Sequence, residues 1–230
     1  MTKQYFKPEL IVFDLDGTLV DSSPDLAVAI NRMLTALKQE NYPEAQIQQW
    51  MGNGAKMLIQ RALTGEQEPA HTPKKLSEAM HLFSHYYQEN ICVHSQLYEG
   101  VKGGLKQLQA AHINLACVTN KPAQFTTPLL AKIGLKDYFQ FVASGDTFPV
   151  MKPDPLPLLE TAKIFAVETT QSLMVGDSIN DMQAGQRAGF KTALVPYGYL
   201  GKYTPAELKA DYAITNISQL AELFCPRTLH

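Results

Sequence analysis

The chain has 230 residues, 45% apolar and 18% charged, with a formal net charge of −2. Twenty Lys and Arg against 22 Asp and Glu remove the electrostatic basis for nonspecific nucleic-acid binding. No apolar run reaches the ~18 residues that span a bilayer, and three cysteines (Cys92, Cys117, Cys225) form no CxxC pair, against a disulfide framework or a zinc ribbon. With no signal-peptide apolar region near the start, a cytoplasmic enzyme or binding protein is expected, as one large or two unequal domains.

Leu10-Ile11-Val12-Phe13, ended by Asp14, is a short apolar run that suits a strand buried on both faces. Similar runs return at 114–118 (NLACV), 139–143 (FQFVA), 172–175 (SLMV) and 192–195 (TALV), with helical spacing over 123–133, 156–165 and 182–188. This alternation predicts an α/β fold, a doubly wound, Rossmann-like parallel sheet. Gly134 and Gly189 stand where left-handed helix ends belong. Residues 24–90 differ: amphipathic stretches at 25–38, 47–51, 56–63 and 76–87 have no strand pattern between them. They predict an inserted all-helical cap over residues 21–94, leaving 1–20 and 95–230 as the sheet core.

Ligands of open α/β sheets bind beyond the carboxyl ends of the strands. The polar residues just past the apolar runs are Asp14, Asp16 and Thr18; Thr119, Asn120 and Lys121; Lys152; and Asp177, Asn180 and Asp181. Carboxylates gathered on one rim repel one another unless a cation joins them, and short Asp side chains suit a hard ion such as Mg²⁺. A hydroxyl and an ammonium beside such an ion are donors for phosphate oxygens. The set points to phosphoryl transfer from a small phosphorylated metabolite. Singly, each piece has an ordinary reading: a solvated acidic turn, a strand-end threonine, a surface lysine, an acidic first helical turn. Four strand ends supplying one coherent set is the stronger signal.

Residues 13–22 (FDLDGTLVDS) resemble the first motif of the haloacid dehalogenase-like superfamily, and Thr119, Lys152-Pro153 and 176–181 (GDSIND) resemble its second, third and fourth, in order. Within it, 50–55 (WMGNGA), 61–63 (RAL) and 118–122 (VTNKP) are similar to the bacterial members that act on 2-phosphoglycolate. The resemblance implies Asp14 as nucleophile, Asp16 as general acid and base, and Thr119 with the Asn120 backbone as holders of phosphoryl oxygens. It further implies Lys152 as the neutralising charge, and Mg²⁺ held by Asp14, the Asp16 carbonyl and Asp177. Asp181 is expected to orient Lys152 or a metal-bound water. Specificity must then come from the cap. There Asn53 and Gly54 are expected to lead into a helix whose amides attract the substrate carboxylate, with Lys56 or Arg61 supplying charge. The competing readings are a sugar-phosphate phosphatase, a β-phosphoglucomutase-like mutase, or a noncatalytic binding protein on the same scaffold. The sequence does not indicate an oligomeric state.

Overall fold

The computed structural model describes residues 6–225. In chain order the elements are β1 (Leu10–Phe13), β2 (Val20–Asp21), α1 (Ser23–Ala36), α2 (Glu44–Gln49), α3 (Gly54–Thr64), α4 (Leu76–Asn90), β3 (Gln96–Leu97), α5 (Val101–Ala110), β4 (Asn114–Val118), α6 (Ala123–Ile133), β5 (Phe141–Ala143), α7 (Leu156–Phe165), β6 (Ser172–Gly176), α8 (Ile179–Ala188), β7 (Lys191–Leu194), β8 (Tyr212–Ala213) and α9 (Ser218–Phe224). No described helix is long and apolar enough to cross a membrane.

Six strands form a parallel sheet in the order β5-β4-β1-β6-β7-β8. All four residues of β1 are fully buried, as their unbroken apolar run requires. Alternate side chains go to opposite faces. Ile11 and Phe13 pack with Val101 and Leu105 of α5, Phe125 of α6 and Leu220 of α9; Leu10 and Val12 pack with Leu158 of α7 and Ala184 of α8. The sheet is therefore wound on both sides, as expected. The strand order reverses at β1, which pairs with β4 and with β6, so a crevice opens at their carboxyl ends. Phe13 lies level with Cys117 and Val175, and this register carries Asp14, Thr119 and Asp177 to one rim.

The predicted strand at 139–143 is shorter, beginning at Phe141, because Lys136–Tyr138 form a 3₁₀ turn that delays chain extension. Gly134 and Gly189 take the left-handed conformation at the ends of α6 and α8.

Helices α1–α4 follow one another without an intervening strand and pack together, with α1 against α2, α3 and α4. The chain enters and leaves this helical layer through the antiparallel pair β2–β3, Val20 opposite Leu97 and Asp21 opposite Gln96. Asp25 ties the exit to the entry: fully buried in the first turn of α1, it accepts the backbone N–H groups of Val93, His94 and Ser95 at 3.0, 2.8 and 2.9 Å, and the Ser95 hydroxyl. The carboxylate thus serves three backbone donors that no strand or helix partner reaches. Asp25→Ala should lower the unfolding free energy by about 3 kcal/mol or more, since each orphaned donor costs roughly 1–3 kcal/mol. The urea midpoint reads the loss.

Candidate active site

The chain turns sharply beyond β1, and Gly17 permits the turn. Its φ of +89° is left-handed, and a Cβ there would strike the Asp177 carboxylate and the Tyr199 ring. Thr18 Oγ1 then donates to Asp177 Oδ1 at 2.6 Å, while the Tyr199 N–H donates to Oδ2 at 2.6 Å. Both oxygens of Asp177 are thereby aimed.

Asp14, Asp177 and Asp181 each bring an oxygen within 4.8 Å of the others. Lys152 Nζ sits among them, 2.9 Å from Asp14 Oδ1 and 2.7 Å from Asp181 Oδ1, and also donates to the Val118 carbonyl. Asp181 is held from behind by the capping box of α8, its Oδ2 accepting from Ser178 N at 3.0 Å and Ser178 Oγ at 2.6 Å. One ammonium paired with two of three carboxylates leaves the cluster short of positive charge. Burial pushes Asp14 up to about 6, opposed by Lys152 and reinforced by Asp181. Burial, then the charges of Asp181 and Asp14, drive Asp177 well above the usual carboxylate range. For Lys152 burial works against the charge, but Asp14 and Asp181 outweigh it and hold the ammonium above its ordinary value. Asp14 Oδ1 is buried and meets the Lys152 ammonium at 2.9 Å. A carboxylate cluster with this much uncancelled charge is what a hard divalent cation fits.

The Asp16 side chain turns away from this cluster. Its Oδ1 accepts from Ser22 Oγ at 2.6 Å, and Lys121 Nζ lies 3.0 Å from Oδ2. Burial opposes the Lys121 charge, yet Asp16 overrides it and keeps the ammonium above its ordinary value. Thr119 Oγ1 accepts from Lys121 N at 3.2 Å, so its proton remains to be donated elsewhere. Asp14, Asp16, Thr119, Asn120 and Lys121 line one small cavity of about 50 Å³, roofed by Met51, Gly52, Gly54 and Leu58 of the helical layer.

The expected cap residues are divided. Gly54 lines the cavity at the start of α3. Asn53, Lys56 and Arg61 do not line it. Arg61 is neither solvated nor aimed at a ligand: 4% exposed, it donates to the Trp50 carbonyl at 2.6 Å, to Asn53 Oδ1 at 3.0 Å and to the Gln67 carbonyl at 2.7 Å. These three acceptors from its own layer take the Nε and Nη1 hydrogens, and the guanidinium pins the segments before and after α3 to each other. Lys56 is exposed because its position on α3 faces outward.

Several contacts made here carried no expectation from the sequence. Lys121 stands within the VTNKP stretch, but nothing in the sequence shows that its chain bends back to Asp16. Asn180, within GDSIND, and Asn120 both donate their amides to one acceptor, the Gly52 carbonyl, each at 3.0 Å. Asn120 donates also to the Lys152 carbonyl at 2.8 Å. The helical layer is thus latched to the loop after β4 and to the first turn of α8. Tyr199 links the sites further, its hydroxyl accepting from Ser22 N and Ser23 N at 2.9 and 3.0 Å and donating to Asp21 Oδ1 at 2.7 Å.

A sheet reversing at β1, with an acidic cluster in the crevice and a helical layer over it, defines a Rossmann-like α/β protein with a site built from aspartates. The model of the haloacid dehalogenase-like hydrolases matches residues 11–195, and the chain belongs to that family. It is 40% identical to a phosphoglycolate phosphatase of Thiobacillus denitrificans over 92% of this chain and 93% of the relative. It is 41% identical to one of Nitrosospira multiformis over 93% and 94%. A crystal structure of a predicted phosphoglycolate phosphatase from Haemophilus somnus superposes with a TM-score of 0.88 at 35% identity, covering 97% of this chain and 99% of that one.

The latch is testable. Asn180→Ala removes one of two donors to the Gly52 carbonyl. Amide hydrogen exchange over residues 52–56 should then rise about 5- to 10-fold, the worth of one neutral hydrogen bond, while β1 stays protected.

Proposed function

We propose that the chain is a Mg²⁺-dependent phosphatase that hydrolyses 2-phosphoglycolate to glycolate and phosphate. The observation that carries this reading is the cavity that Asp14 and Asp16 share: it is small, lies under the helical layer, and sets Thr119, Asn120 and Lys121 beside the two carboxylates. Relatives bearing that activity as their name are about as long as this chain and match it nearly end to end. A space this small under the helical layer favours a two-carbon acid over a sugar phosphate. Residues 21–94 serve as the cap and the remainder as the catalytic core. Three cysteines without disulfides fit a cytoplasmic location.

Asp14 attacks phosphorus through a carboxylate oxygen. The new O–P bond forms as the ester O–P bond breaks, and the leaving glycolate oxygen takes its proton from Asp16. Asp16 then removes a proton from a water molecule whose oxygen attacks the phosphoryl group, and the aspartyl O–P bond breaks to release phosphate and restore both carboxyl groups. Ser22 and Lys121 hold Asp16 toward the leaving oxygen. Thr119 donates its hydroxyl proton to a phosphoryl oxygen, joined by the Asn120 backbone N–H. Lys152, buried against Asp14 and Asp181, balances the charge that gathers on the transferring group. Asp181 keeps that ammonium in place. Mg²⁺, held by Asp14, Asp177 and the Asp16 carbonyl, supplies charge neutralisation between nucleophile and anionic substrate when bound.

Phosphate release from 2-phosphoglycolate, compared with glucose 1-phosphate, is the direct test. Wild-type protein with Mg²⁺ should favour the former, and Asp14→Asn should lower kcat by at least about 10⁴-fold with the fold retained. Full activity in that variant, or conversion of glucose 1-phosphate to glucose 6-phosphate, would overturn the reading.

The ion also has a stability signature. Asp14 titrates higher folded than unfolded, so its contribution to stability is present at low pH and is lost as pH rises through about 6. A cation replaces the missing proton above that pH. Adding Mg²⁺ to EDTA-treated protein should raise Tm at pH 8 by several degrees, and the increment should shrink below pH 6. Asp177→Asn should abolish most of it.

A further inference from the structure

Arg61 and Lys56 lie outside the cavity, so the substrate's carboxylate needs another counter-charge. We infer that Lys121 and Tyr87 form its subsite, the ammonium giving the charge and the phenol a hydrogen bond; this rests on the phosphoglycolate reading above. Both residues line the cavity. Tyr87, on α4, is fully buried; its hydroxyl lies beside Lys121, which can only donate, so the phenol proton meets no acceptor among the described residues. Buried hydroxyl protons are nearly always paired, and one left over in the wall of a cavity marks an acceptor that arrives with the ligand. The ring is not free to turn elsewhere: it stacks on Phe83 at 5.5 Å and meets the edge of Phe125 at 5.0 Å. Burial pushes the phenol up to about 12, so it remains a donor throughout the working range.

Lys121 Nζ lies 4.7 Å from the centre of the Tyr87 ring and 3.0 Å from Asp16 Oδ2. That position matches the shape of the substrate. In 2-phosphoglycolate one methylene separates the ester oxygen from the carboxyl carbon, so the carboxylate's counter-ion must stand directly beside the residue that protonates that oxygen. Lys121 is beside it, and Leu26, Leu58, Phe83 and Phe125 provide an apolar wall that strengthens a charge-assisted bond. Because Tyr87 comes from the helical layer and Lys121 from the loop after β4, the subsite is complete only when the two are closed together. Specificity would then be read at closure.

The test compares kcat/KM for 2-phosphoglycolate and for ethyl phosphate, which keeps the phosphate and lacks the carboxylate, using the full chain with Mg²⁺. Tyr87→Phe should lower the ratio of the two at least about 10-fold, chiefly through KM for 2-phosphoglycolate, and Lys121→Gln should lower it further, as charged hydrogen bonds to a substrate group do. A merely structural role would depress both substrates alike and leave the ratio unchanged. A ratio within twofold of wild type in both variants overturns the inference while the function stands. If wild-type protein shows no preference for 2-phosphoglycolate over ethyl phosphate, the proposed function falls and takes the subsite with it.

Discussion

Three clustered carboxylates that share a single ammonium, paired with two of them, constrain everything else in this molecule. Asp14, Asp177 and Asp181 could not share a sheet rim with only Lys152 between them unless the surroundings held each one in place. The sheet register brings them level, the capping box of α8 holds Asp181, and Thr18 with the Tyr199 amide holds Asp177. The resulting shortage of positive charge appears in the upward shifts of Asp14 and Asp177. A site that is electrostatically incomplete by itself has a ready use for a cation and invites the neutralising chemistry proposed for it.

Around this cluster the helical layer is joined to the sheet by polar contacts at two places. The Gly52 carbonyl is held by Asn120 and Asn180 at the cavity edge, and Tyr199 joins the entry to α1 with the loop that carries Asp177. Ser22 sits in that same entry and bonds Asp16. The side chain proposed to move protons is therefore held by the strand-to-helix connection, and its aim follows the position of the layer.

Much of this was legible in the amino-acid sequence because it is local. The apolar runs ended by Asp14, Thr119 and Asp177 announce strand ends, and strand ends of an open sheet share a rim. The helical insertion could be read from its unbroken 3.6-residue pattern. What escaped depends on distant partners. Helix α5 carries Gly103 and Gly104, poor helix formers, because a Cβ at Gly104 would strike the backbone at Ile217 where α9 packs close. Strands β2, β3 and β8 are two residues each, too short for any periodicity. Arg61 looked like a ligand for an anion, yet the carbonyls it donates to come from the segments on either side of α3, whose paths no spacing rule reveals. Lys121 and Tyr87 are 34 positions apart and meet only through the packing of α4 on the loop after β4.

The double hold on the Gly52 carbonyl also sets a tempo. Two neutral hydrogen bonds are worth roughly 1–3 kcal/mol together, a bias of about five to 150 to one for the shut form. That is enough to keep bulk water away during chemistry and too little to imprison what is made there. A tighter clasp would trade throughput for dryness; two amides on one oxygen strike a middle course, and product escape needs only their brief, simultaneous lapse.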